Sequence, residues 1–158
     1  MRTDKAPILI NKYATRMTIL AILFIFGYAT ILISCLVKKK SPEYYYEYGK
    51  HYVAEGDLVQ AQRNFTRAIK ENPNYYDAYY QRAQVWQQTD SIENAINDYD
   101  TLLTFKNLTV DKTAELYFLR GNMNYLISQD TIACRDWKSA CDLNHNKACD
   151  LIRKRCKK

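Results

Sequence analysis

Laid over itself at a shift of 34 residues, the sequence matches Tyr45, Gly49, Tyr52, Ala61, Phe65, Ala68 and Pro73 with Tyr79, Ala83, Trp86, Ala95, Tyr99, Leu102 and Asn107. A further shift of 38 carries Tyr79, Ala83, Ala95, Tyr99 and Leu102 onto Tyr117, Gly121, Ala133, Trp137 and Ala140. A period of about 34 residues belongs to helical solenoids, whose units are too small to bury an apolar face alone and do so by stacking. The fold class it predicts is all-α, with about three helix-turn-helix units and a C-terminal capping helix; the uncharged run at 17–37 adds an N-terminal hydrophobic membrane segment in front. Such a stack leaves a long face open to partners.

Breakers and caps set the expected boundaries. The pairs are read as 42–55 with 58–71, 76–88 with 91–105, and 112–127 with 130–143, followed by a last helix at 146–156. Pro42 suits a first helical turn, and Gly56-Asp57, Thr89-Asp90 and Ser128-Gln129 supply the turns within the pairs. The expected division is a basic leader (1–16), a hydrophobic signal or anchor segment (17–37), a linker (38–41), units at 42–75, 76–109 and 114–145, and a capping helix with a basic tail (146–158). The four extra residues near Val110 to Thr113 are expected to lengthen the turn before the third unit.

Within each pair, Gly49, Ala83 and Gly121 fall on the first helix and Ala61, Ala95 and Ala133 on the second, where two helix axes must approach closely. The large Phe65, Tyr99 and Trp137 fill the space beside them, so successive helices interdigitate. At these residues, over roughly 42 to 147, the chain resembles the tetratricopeptide repeat (TPR) family. Agreement is fullest in the first unit, at Gly49, Tyr52, Ala61, Phe65, Ala68 and Pro73. The second unit has Ala83 and Asn107 for the glycine and proline, and the third has Asn124 where Tyr52 and Trp86 precede it.

The resemblance implies a right-handed solenoid whose first helices line a concave groove for a protein or peptide. Carried over by that spacing, the lining is Glu43, Tyr46, Lys50 and Val53, then Asp77, Tyr80, Gln84 and Gln87, then Glu115, Phe118, Asn122 and Tyr125. Tyr46, Tyr80 and Phe118 would form an aromatic row of interface anchors, or else pack between helices. Members of the family that clamp a C-terminal carboxylate present lysine, arginine and asparagine across neighbouring first helices. Lys50 beside Glu43, Asp77 and Glu115 would repel such a group, so a basic or neutral, apolar-spotted peptide is the expected partner.

Charge is concentrated at the two ends. Residues 1–40 carry +6, the whole formal net charge, and residues 147–158 carry +5, which leaves about -5 over 41–146. Basic ends flanking an acidic repeat region argue for membrane-flanking charge and a solvated terminal helix, so no nucleic-acid partner is expected. Residues 17–37, MTILAILFIFGYATILISCLV, contain no charged side chain. A run of ~20 apolar residues is long enough to span a bilayer, whereas a secretory core is nearer ~7 to 15. Leu32-Ile33-Ser34-Cys35 resembles a bacterial lipobox, which implies lipidation of Cys35 and export to the periplasmic face or cell surface. A single-pass anchor is the alternative; with positive charge on both flanks, its orientation is only weakly set.

Cys134, Cys141, Cys149 and Cys156 are spaced seven, eight and seven apart. If Asn144 to Asn146 turn an antiparallel hairpin centred on His145, Cys141 faces Cys149 and Cys134 faces Cys156. The stretch from Ala140 to Cys149 also resembles the cysteine-rich, Sel-like relatives of the superfamily, in which such a pair bridges adjacent helices. Four cysteines permit three connectivities, of which this is the expected one, and it requires an oxidising compartment. Zinc on Cys141, His145, Cys149 and one more thiol, or buried reduced thiols, are the alternatives.

No catalytic constellation is present in the sequence. His51 and His145 lie far apart, there is no glycine-rich phosphate loop, and His51 reads as a partly exposed polar residue. No catalytic residue, metal or cofactor is therefore expected. The expected function is a membrane-tethered, non-catalytic scaffold; a self-associating envelope-assembly component and a thiol redox module are the alternatives.

Overall fold

Four of the seven described helices begin where a side chain accepts one of the first-turn N–H groups. Ser41 accepts from Tyr44 N–H at 3.3 Å ahead of Pro42, Asp57 from Gln60 at 3.0 Å, and Thr109 from Lys112 at 3.2 Å. His145 does the same through Nδ1, which accepts from Ala148 N–H at 3.3 Å. The computed structural model describes residues 39–156. Its helices are α1 (Pro42–Glu55), α2 (Leu58–Glu71), α3 (Tyr76–Gln88), α4 (Ile92–Leu103), α5 (Val110–Leu126), α6 (Asp130–Asp142) and α7 (Asn146–Arg155). No strand occurs among the described residues, and no helix among them is long and apolar enough to cross a membrane. The expected membrane segment and Cys35 lie outside the described residues.

Each helix packs on the next along the chain, and α1 also touches α3. The turn inside each hairpin passes through one left-handed residue: Gly56 (φ 79°), Asp90 (φ 53°) and Ser128 (φ 60°), separated by the same 34 and 38 residues as the repeat. Only the first of these is a glycine. The small-large pairs sit at the helix crossings. A Cβ on Gly49 would lie 2.5 Å from Phe65 Cε1, and one on Gly121 would lie 2.7 Å from Trp137 Cδ1. Phe65, Tyr99 and Trp137 are all buried.

The four extra residues lengthen a helix rather than a turn. α5 has 17 residues against 14 in α1 and 13 in α3, and begins one full turn earlier relative to the repeat. Thr109 caps that turn and Asp111 lies in it, where the helix dipole favours an acid; no breaker opposes it. The second helix of the middle pair is correspondingly tighter than the expected 91–105, running Ile92–Leu103.

A second set of repeated contacts is polar. Arg82 donates from Nε and Nη2 to Asp98 at 2.9 and 2.6 Å, and from Nη1 to Thr66 on α2 at 3.0 Å. One repeat on, Arg120 donates to Asp136 at 2.8 and 2.6 Å, and to Asp100 on α4 at 2.6 Å. Each arginine thus ties its own hairpin to the second helix of the unit before. In the first unit the same two places hold Tyr48 and Asn64, and buried Asn64 bonds instead to Gln60 O at 2.8 Å. Asn124, which departs from the aromatic at its repeat position, donates to Asp136 at 3.4 Å and to Arg120 O at 3.0 Å, so it helps satisfy a buried acid.

Disulfides join Cys134 to Cys156, with Cα atoms 5.7 Å apart, and Cys141 to Cys149, at 4.9 Å, stapling α6 to α7. The sulfurs of the alternative zinc set are therefore bonded to each other, and His145 is held by Ala148 and Glu115. His51 is exposed and pairs with Glu55 at 3.3 Å.

Candidate functional site

Two clefts are lined chiefly by the first helices of the hairpins. The first, of about 340 Å³, is lined by Tyr76, Asp77, Tyr80 and Gln81 of α3 with Lys112 and Glu115 of α5. The second, of about 270 Å³, takes Gln87 from α3, Asn122, Met123, Tyr125 and Leu126 from α5, Trp137 from α6, and Leu151 and Arg155 from α7. Among the groove residues expected from the spacing, Asp77, Tyr80 and Glu115 meet in the first cleft, and Gln87, Asn122 and Tyr125 in the second. Glu43, Tyr46, Lys50 and Val53 on α1 line neither, nor do Gln84 and Phe118.

The three rings of the expected aromatic row each engage a neighbour. Tyr46 packs against Phe65 and Tyr75, with centroids 5.9 and 5.1 Å apart. Tyr80 stacks on Tyr76 at 6.1 Å and 13°, and Phe118 on His145 at 4.3 Å and 26°. All three are half-buried. Burial, then the nearby Tyr80, pushes the Tyr76 phenol up to about 12; burial also raises Tyr46 and Tyr80.

Polar groups on and beside the first helices are tied down in a consistent way. Lys50 Nζ bonds Glu47 at 2.9 Å and lies 5.3 Å from the Tyr46 ring. His145 Nδ1 is occupied as an acceptor, so in the neutral ring Nε2 carries the proton and donates to Glu115 Oε2 at 3.0 Å. Trp137 Nε1 donates to Asn122 Oδ1 at 3.0 Å, leaving the Asn122 NH₂ for the cleft. Arg155 lies over Tyr125 at 5.5 Å.

Tyr76, Gln81, Lys112, Leu151 and Arg155 are not among the positions that first-helix spacing picks out. One signal for two of them was present: carrying the period of 34 once more past the third unit sets Leu151 under Tyr117 and Arg155 under Gly121, drawing α7 in as a fourth first helix. Lys112 had no such signal, because it stands in the insertion.

Hairpins stacked in series, with clefts lined chiefly by their first helices, define a helical solenoid of the TPR type. No protein-family profile matches the chain. Solved structures do match. The first TPR of Spaghetti (RPAP3), bound to HSP90 peptide SRMEEVD, aligns with a TM-score of 0.62 at 18% identity, over 75% of this chain and 92% of that one. The Arabidopsis OM64 TPR domain gives 0.61 at 23% identity, over 72% and 92%. A crystal structure of MamA gives 0.61 at 20% identity over 68% of this chain, which spans 57% of MamA.

Proposed function

We propose that the protein is a non-catalytic, membrane-tethered scaffold that holds a protein or peptide partner on the face made by α3, α5 and α7. The observation that carries this reading is the pair of clefts, each lined by side chains from successive first helices, so that one extended segment laid across the face would meet both. A fold of the same kind, the Spaghetti TPR, is seen with an acidic peptide. Here Asp77 and Glu115 border the first cleft, so the proposed partner is a basic or neutral segment with apolar side chains. Tethering rests on the uncharged segment 17–37 and on Cys35. Export is supported by the two disulfides, which persist in oxidising compartments.

Peptides selected from a random displayed library test the face directly. The exposed Asp77, which borders the first cleft, can be changed to lysine without touching the core. Affinity for selected peptides is expected to fall about tenfold or more with helicity unchanged; unchanged capture would exclude this face. For the tether, radiolabelled lipid should incorporate into the wild type and not into Cys35→Ser. Label surviving the substitution would reject acylation at that residue.

A further inference from the structure

The cleft between α3 and the first turn of α5 is built for a cation. Tyr76 and Tyr80 stack in its wall, and Asp77 and Glu115 border it. Aromatic faces carry negative potential and the carboxylates add formal charge, a combination that attracts an ammonium or guanidinium group. The chain already places one there. Lys112 Nζ stands 4.4 Å from the Tyr76 centroid, although Lys112 is exposed and belongs to the extra turn that α1 and α3 lack. Beneath the cleft, Tyr99 is fully buried and its hydroxyl has no hydrogen-bond partner. Tyr76 and Tyr80, which line the cleft, pack against the buried cluster that holds Tyr99. Asp98 is committed to Arg82, and Glu115 gives Oε2 to His145, which leaves Glu115 Oε1 and Asp77 for an incoming cation.

We propose that this cleft is the specificity pocket for a lysine or arginine side chain of an extended peptide, and that Lys112 is an internal occupant displaced by it. The inference rests on the groove reading given above. The test is a titration of the isotopically labelled full chain in detergent with N-acetylarginine N-methylamide, followed by NMR, beside the neutral citrulline analogue. Saturable shifts are expected at Asp77, Tyr80, Gln81, Lys112 and Glu115, about fivefold weaker with citrulline. Lys112→Met, which keeps the stem and removes the charge, should tighten arginine binding severalfold; Asp77→Asn should weaken it about fivefold. Equal response to citrulline, or unchanged affinity in both variants, overturns the pocket. Library peptides separate the two readings. Peptides captured on the cleft-bearing face without enrichment in lysine or arginine sink the pocket and leave the groove reading standing, whereas failure to capture any peptide sinks the groove reading itself.

Discussion

Gly121 has no room for a methyl group, because the ring it would meet cannot retreat: Trp137 is buried and its Nε1 is bonded to Asn122. Gly121→Ala should cost about 1–3 kcal/mol in urea unfolding, as overpacking of a closed site does. Ala83 stands at the same repeat position against Tyr99 and is accommodated there. Tyr99 carries a different strain, an unpartnered buried hydroxyl where the first unit has Phe65. Tyr99→Phe is expected to stabilise the ligand-free protein by up to ~1 kcal/mol. The small-large pairs are legible in the sequence because the shift that reveals the repeat aligns them. The same shift also aligns Arg82 with Arg120 and Asp98 with Asp136, but charged residues read as surface until a fold shows them buried. Burial lowers the Arg120 pKa, but its bonds to Asp136 and Asp100 more than offset this and raise it above the ordinary value. Arg120→Ala, which strands Asp136, should cost about 3–5 kcal/mol, whereas Arg153→Ala, from an exposed pair with Asp150, should fall within about 0.5 kcal/mol.

Among the elements, the hairpin turns carry the clearest local conflict between sequence and backbone. Asp90 and Ser128 adopt a conformation that Gly56 reaches without a Cβ penalty. Ser128→Gly should raise stability by about 0.5–1 kcal/mol, read as a higher Tm in a thermal melt; a lower Tm would show that the serine side chain contributes there. The insertion before the third unit illustrates the limit of periodicity. A shift from 34 to 38 residues states that four residues were added, but cap and dipole chemistry at Thr109 and Asp111 decide that they join α5. That placement is what brings Lys112 over Tyr76.

At the scale of the whole molecule, a solenoid transmits stability only between neighbouring units, so the two bridges protect the end they staple. Reduction should cost about 2–4 kcal/mol locally, speeding amide exchange in α7 while leaving α1 to α4 unchanged. Exchange rising evenly through all helices would contradict this. Tyr99 and the half-buried Tyr76 and Tyr80 set a limit at high pH. Tyr76 is raised to about 12 and Tyr80 and Tyr99 also upward, chiefly by burial, from an ordinary value of 10.0. Between about pH 10 and 12 the unfolded chain therefore sheds phenolic protons that the folded one retains, and stability present below that window falls through it. Phenolate absorbance with urea midpoints at pH 8, 10 and 11 measures both effects.

The period, the helical hairpins and the small-large crossings can be read from the chain alone, since each is written in spacing along one segment and repeated. So can the symmetric cysteine spacing about His145. Which side chains meet between units emerges from the folded stack: the arginines that tie one hairpin to the one before, the half-burial of Tyr46, Tyr80 and Phe118, and the two clefts. Those meetings depend on the distance and rotation between stacked helices, which arise from the packing of all the units at once and are not encoded in the spacing within any one of them.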